Sequence, residues 1–273
     1  EVIARHRPSA AILLAGFIAV GESVVDPGRY YLNNVAESII FLRALQEAGI
    51  RRLVFSSSAA VYGQPLRIPI DEAHPTWPAN PYGWTKLMVE RMLADHAPAY
   101  GLRSVALRYF NAAGADPDGE IGEDHEPETH LIPLVLDTAL GRRKEITVFG
   151  DDYDTTDGTC VRDYIHVSDL AEAHVLALDR LSWQDRPTAE TFNLGNGNGY
   201  SVKEVIATAG AVTNRTIPTR MAGRRAGDPA ILVAASDRAK TALGWRQRYA
   251  SLETQIAHAW AWHRKKYAVP ADL

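Results

Sequence analysis

The chain has 273 residues, 46% apolar and 23% charged, enough to bury a large core as one large domain or two smaller ones. Its 33 acidic and 29 basic residues leave a net charge of -4 without a basic tract, which argues against a nucleic-acid or anionic-membrane partner. A single cysteine, Cys160, excludes a disulfide framework and a CxxC metal cluster and favours the cytoplasm, while no apolar run reaches the roughly 20 residues that span a bilayer.

In chain order, AAILLAG (10–16) reads as a buried strand, and residues 27–49 as a helix that opens at Pro27 and stops at Gly49. RRLVFSSS (51–58) is the next strand, PYGWTKLMVERMLADHA (81–97) the next helix and RSVALRYFN (103–111) a third strand. Strands that are apolar almost throughout, alternating with helices, predict a parallel sheet covered on both faces. The second half is less regular. A helix over HLIPLVLDTALG leads to the strand EITVFG, a loop rich in Gly, Asp and Thr at 150–160, and the strand VRDYIHV (161–167). Asp169 and Glu172 have capping-box spacing at the start of the next helix, and Ser201 with Glu204 repeats it after a Gly-rich turn. No internal repeat or low-complexity segment is present.

Parallel sheets of this kind bind ligands beyond the carboxyl ends of their strands. Three strand ends matter. Ser56, Ser57 and Ser58 close the second strand, where three hydroxyls can either satisfy a frayed ladder or serve chemistry. Tyr82 and Lys86 stand at i and i+4 on the following helix, as a proton-transfer pair or as two polar residues of an amphipathic face. Tyr109, Phe110 and Asn111 follow the third strand. Ser, Tyr and Lys together suit removal of a proton from an alcohol while its carbon loses hydride to a nicotinamide. A tyrosine with an ordinary pKa near ~10 is a poor base at neutral pH, and a nearby ammonium lowers it.

These stretches, with AVGESV, YYLNNV, FSSSAAVYG, NPYGWTKLMVE, LRYFNAAGADPDGEIGED, VFGDDYDTTDGTCVRDYIHVSDLA, NLGNGNGYSV and RRAGDPA, resemble the extended short-chain dehydrogenase/reductases and, within them, the UDP-hexose 4-epimerase branch. The motifs run in family order over nearly the whole chain. The resemblance implies an α/β architecture: a Rossmann-like doubly wound parallel sheet with its first βα units missing, followed by a smaller C-terminal α/β substrate domain. Residues 1–112 would be the remainder of the NAD-binding domain. Residues 113–273 would be mainly the UDP-sugar domain, with some segments returning to the sheet. It further implies NAD as cofactor, a UDP-hexose substrate, interconversion of UDP-glucose and UDP-galactose through a 4-keto sugar, and a homodimeric parent enzyme.

Carried over residue by residue, Tyr82 is the base, Lys86 its tuner and ribose ligand, and Ser58 the hydroxyl on the sugar O4. Asn34, Ser56, Tyr82, Lys86 and Tyr109 match cofactor contacts. Asn111, His130, Leu131, Val148, Phe149, Arg162, Tyr164, Arg225 and Asp228 match contacts to the nucleotide sugar, with the two guanidinium groups suited to a diphosphate. No metal ligand set is implied; His166 and His174 read as packing residues and Cys160 as an inert thiol.

The chain also departs from the family pattern. No GxxGxxG or GxGxxG follows a strand before AAILLAG, so the glycines that admit the NAD pyrophosphate to a helix N-terminus are not among these residues. The expectation is an N-terminal truncation of roughly 60 or more residues, weak NAD binding and exposed apolar sheet edges. Ile18 replaces a lysine of some members, Thr129 and His130 replace a pair of asparagines, and Leu232, four residues after Asp228, favours plain glucose and galactose over N-acetylated sugars. Two alternatives stay open: epimerisation of UDP-arabinose, UDP-xylose or a UDP-uronic acid, and a non-catalytic UDP-sugar-binding remnant. The absence of a carboxylate beside the first serine argues against a 4,6-dehydratase.

Overall fold

The computed structural model describes residues 1–225 and 227–268. The elements begin with α1 (Val2–His6), β1 (Ala11–Leu13), α2 (Val20–Val25), α3 (Pro27–Tyr30), α4 (Glu37–Glu47), β2 (Arg52–Ser58) and α5 (Pro81–Tyr100). They continue with β3 (Arg103–Tyr109), β4 (Asn111–Ala113), α6 (Leu131–Ala139), β5 (Ile146–Phe149), β6 (Val161–His166), α7 (Val167–Ser182) and β7 (Thr188–Leu194). The last are β8 (Gly199–Ser201), α8 (Val202–Thr213), β9 (Thr219–Ala222), β10 (Ile231–Leu232), α9 (Asp237–Ala242) and α10 (Leu252–Lys266). No described helix is long and apolar enough to cross a membrane.

The chain divides into two compact units. The first holds 1–109, 172–194 and 235–245, with a four-stranded sheet in the order β1-β2-β3-β7, all neighbours parallel. Leu53 and Phe55 of β2 pack with Leu42 and Leu45 of α4 and with Val89 and Leu93 of α5. On the opposite parity Ser56 bonds His174 of α7 at 2.8 Å, so the sheet carries helices on both faces. This is the expected Rossmann-like α/β arrangement. β1 forms one sheet edge, and in the segment that follows it Leu14, Ile18, Val20, Val24 and Val25 are exposed.

The helix expected over 27–49 starts at Pro27, where the Asp26 carboxylate accepts from the Arg29 N–H, and ends before Gly49, whose φ is 71°. Between α3 and α4, however, residues Tyr31–Ala36 form a π-helical turn, a wider coil than periodicity alone predicts.

The second unit holds 110–171, 195–234 and 246–273. It has a sheet ordered β10-β6-β4, with β8 antiparallel on β6, and a separate parallel pair β5-β9. Its core joins Ile132, Val135 and Leu136 of α6, Val205 and Ala209 of α8, and Leu252, Ile256 and Ala259 of α10. Ser201 and Glu204 form the expected capping box on α8. The Asp169–Glu172 spacing does not cap α7: that helix begins two residues earlier, and the buried Asp169 carboxylate instead accepts from the Arg248 and Tyr249 N–H groups at 2.9 and 3.1 Å.

α5 is anchored in the first unit by a buried ion pair. Glu90 receives Arg108 of β3 at both carboxylate oxygens, at 2.9 and 2.5 Å, and Ser57 of β2 at 2.5 Å. Arg108 also donates to the Tyr62 hydroxyl, which donates to Asn193 of β7. Removing one member strands a buried charge. We expect Glu90→Ala to lower unfolding free energy by about 3–5 kcal/mol, and Glu90→Leu with Arg108→Met to recover most of it, both read by urea denaturation.

Candidate active site

Two local features bring the second strand end and the start of α5 together. Asn80 caps α5, its side chain accepting from the Gly83 N–H at 2.9 Å, and Ser58 caps the short turn Ala59–Val61. Gly83 is the contact point: a β-carbon there would meet the Ala60 carbonyl oxygen at 2.5 Å. Only glycine lets the first turn of α5 press on the turn that carries Ser58. Tyr82 is thereby buried with its phenol near Ser58, which favours its ionised form. The Tyr82 N–H donates to Ser23 at 3.2 Å, tying α2 to the same helix end.

One turn along, the buried Lys86 ammonium donates to the Ser56 carbonyl at 2.9 Å and lies 5.8 Å from the centre of the Tyr82 ring. Burial pushes Lys86 down to about 8, against the opposing charge of Glu90. Burial also pushes the Tyr82 phenol well above its ordinary value, and the group pulling it back is Ser58. Lys86 and Ser58 both lie near the Tyr82 phenol.

The cofactor-side residues divide. The Ser56 hydroxyl bonds His174, so His174 orients that serine rather than merely filling space, and the Tyr109 phenol lies nearby. Burial pushes the Tyr109 phenol up. Asn34 sits in the π-helical turn with its amide wholly engaged: it accepts from the Phe17 N–H and Asn33, and donates to the Phe17 carbonyl and Thr85. It fixes the loop after β1 to α5.

The residues expected to hold the nucleotide sugar lie in the second unit. β4 and β6 pair Asn111 with Tyr164, and Tyr164 is a core residue, buried among α6, α8 and α10. Val148 is only 2% exposed, so its side chain faces inward, while Phe149 next to it is partly exposed with the Arg225 guanidinium 4.0 Å over its ring. Arg162 donates to Asp228, so those two expected ligands are joined in an ion pair. Leu131 packs on the core. His130 is turned toward Glu123 and Glu128, which push it up to about 10, at 2.6 and 3.1 Å. His166 bonds His258 at 3.0 Å and accepts from the Ser168 N–H. Burial pushes the Cys160 thiol up, as an inert thiol requires.

A family model described as the NAD dependent epimerase/dehydratase family matches residues 1–195. The chain belongs to this family. It is 53% identical over 264 residues to the UDP-glucose 4-epimerase of Halalkalibacterium halodurans, covering 97% of this chain and 78% of that one. Among solved structures, UDP-glucose 4-epimerase from Brucella ovis in complex with NAD aligns with a TM-score of 0.91 at 50% identity, over 95% of this chain and 79% of that one. The Bifidobacterium longum enzyme in complex with NAD+ and UDP gives 0.92 at 41% identity, over 97% and 79%. The expected N-terminal truncation is not borne out by these matches, which cover about four fifths of each relative without assigning the remainder to either end.

Three features of this family member escape a reading by motif. Gly83 could have been noticed as the residue beside Tyr82, but its partner, Ala60, lies on another element. Glu90 and Arg108 look like surface charges until β3 and α5 are packed. Asp163, fully buried, accepts from the N–H groups of Asn196, Gly197 and Ala234, and Gly195 permits that approach, giving NLGNGNG a structural purpose.

The buried lysine has a measurable signature. Its folded-state value of about 8 lies below the ordinary 10.5, so the cost of burying the ammonium is fully present below pH 8 and fades as pH approaches 10.5. Lys86→Met should therefore abolish turnover yet raise unfolding free energy by about 1–3 kcal/mol at pH 7. The gain should shrink between pH 8 and 10.5 in denaturant melts.

Proposed function

We propose that the chain interconverts UDP-glucose and UDP-galactose by reversible oxidation at C4 of the hexose through a 4-keto intermediate. The observation that carries this reading is the convergence of Ser58, Tyr82 and Lys86 at one buried strand end of a chain about half identical to UDP-glucose 4-epimerases.

NAD fits the residues present at its nicotinamide end. Lys86 directs one of its three ammonium protons at Ser56, which leaves donor capacity for ribose hydroxyls, and Tyr109 lies beside that serine. A glycine-rich pyrophosphate loop after a strand is not among the 273 residues. When bound, NAD supplies a reversible acceptor for the C4 hydride.

The chain's own residues handle the proton and the orientation. Ser58 holds the sugar O4 by hydrogen bonding and stabilises the Tyr82 phenolate. Tyr82 takes the O4 proton as the alcohol becomes a ketone and returns it to O4 once the opposite face of the sugar is presented. Lys86 supplies the positive charge of the site, and the Gly83–Ala60 contact keeps Tyr82 within reach of Ser58.

For the nucleotide, Phe149 and Arg225 offer a stacked platform to the uracil and a charge to the diphosphate, with Arg162, Asp228 and Asn111 as further polar contacts. Residues 1–112 would then serve mainly NAD and 113–273 mainly the UDP-sugar. Exposed Leu32, Ile39, Ile40 and Met88 support a homodimer through the α3–α4 segment and α5, and the single buried cysteine and dispersed charge fit a cytoplasmic enzyme without a nucleic-acid partner.

Purified chain given NAD should convert UDP-galactose to UDP-glucose, and Tyr82→Phe should cut the rate by at least about 10²-fold. Equal rates for the two would remove Tyr82 as the base. No turnover by either, with UDP still bound in a calorimeter, would favour a UDP-sugar-binding remnant. Leu232→Ala should widen acceptance to N-acetylated UDP-hexoses, read as the ratio of kcat/KM values for the two sugars.

A further inference from the structure

In the second unit, the loop before α6 brings four ligand-type side chains together. Glu123, His125, Glu128 and His130 each offer one atom, and these atoms all lie within 4.8 Å of one another. The His130 Nδ1 is 2.6 Å from Glu123 and 3.1 Å from Glu128, and the His125 Nδ1 is 3.2 and 3.6 Å from the same two carboxylates. Four N and O ligands around zinc, at ~2.0–2.2 Å, stand roughly 3.3–3.5 Å apart, so four atoms within 4.8 Å of one another can close on a single ion with small side-chain shifts.

We infer that Glu123, His125, Glu128 and His130 form a binding site for one first-row divalent cation, with Zn2+ the best fit. Two imidazoles and two carboxylates are a borderline donor set, whereas calcium and magnesium take oxygen ligands.

The site is held by its surroundings. The Trp262 indole of α10 donates to the Glu123 carbonyl at 3.1 Å, and a β-carbon on Gly122 would strike the same indole ring at 2.1 Å. Glu128 accepts from the Thr129 and His130 N–H groups at 2.6 and 2.7 Å, which aims its carboxylate back at the loop. The neighbouring ammonium groups are engaged elsewhere, Lys265 with Glu120 and Lys266 with Asp124. Glu123 and Glu128 are thus faced by the two imidazoles rather than by a lysine. His130 also precedes the first residue of α6, so a bound cation would pin the loop to that helix end and assigns His130 to the metal rather than to the diphosphate.

The test is equilibrium dialysis of the chelator-treated chain against Zn2+, with Co2+ absorption as a report of geometry. One Zn2+ per chain and the strong visible bands of tetrahedral Co2+ are expected. Saturating Zn2+ should raise the thermal midpoint by at least about 2–4 °C. His125→Ala, a change at a half-exposed side chain, and Glu123→Gln should each abolish stoichiometric binding and that rise. Absence of stoichiometric binding by the unmodified chain, or binding unchanged in His125→Ala, would overturn the assignment.

Discussion

A guanidinium and a carboxylate are costly to bury unless both are fully hydrogen-bonded, and the pair Glu90–Arg108 meets that condition while joining three elements. Glu90 belongs to α5, the helix that carries Tyr82 and Lys86, and its carboxylate also receives Ser57 from the strand that ends in Ser58. The pair fixes how far along β2 the helix sits. From that position follow the contact of Gly83 with Ala60, the nearness of Tyr82 to Ser58, and the direction of Lys86 toward the Ser56 carbonyl. The same carboxylate is the charge that opposes the fall of the Lys86 value under burial. Anchoring and electrostatics are therefore linked on one helix, four residues apart.

Around this anchor the unit is built to keep polar side chains occupied. Asn34 uses every bond of its amide to join a loop and a helix, and the Ser56 hydroxyl is held by His174. In the second unit Asp163 does the equivalent for three backbone N–H groups. Such satisfied networks specify one arrangement of the elements, since a partial rearrangement would leave buried groups unpaired. The chemistry thus rests on side chains that touch substrate and on a larger set that only positions them.

The alternation of apolar strands and helices made the parallel sheet legible from sequence, and the boundaries of β2, β3 and α5 fall close to where composition places them. The Ser, Tyr and Lys constellation was legible through motif order, because spacing alone left Tyr82 and Lys86 ambiguous. What stayed hidden depends on which elements meet. Nothing local distinguishes Glu90 from a solvated helix charge, or shows that Val148 and Tyr164 turn into the core. The π-helical turn at 31–36 escaped because its apolar spacing is also compatible with an α-helix. The Glu123–His130 loop read as a variant of a phosphate contact, since its four ligand-type side chains converge only after the loop docks on α10.

The central claim is that the hydrogen at C4 leaves and returns as hydride within one site while Tyr82 and Ser58 manage the proton on O4. UDP-galactose deuterated at C4, incubated with the chain and NAD in ordinary water, tests this most directly. The account predicts UDP-glucose that retains deuterium at C4, seen by mass spectrometry and proton NMR. Product formed with the label lost to solvent would contradict it.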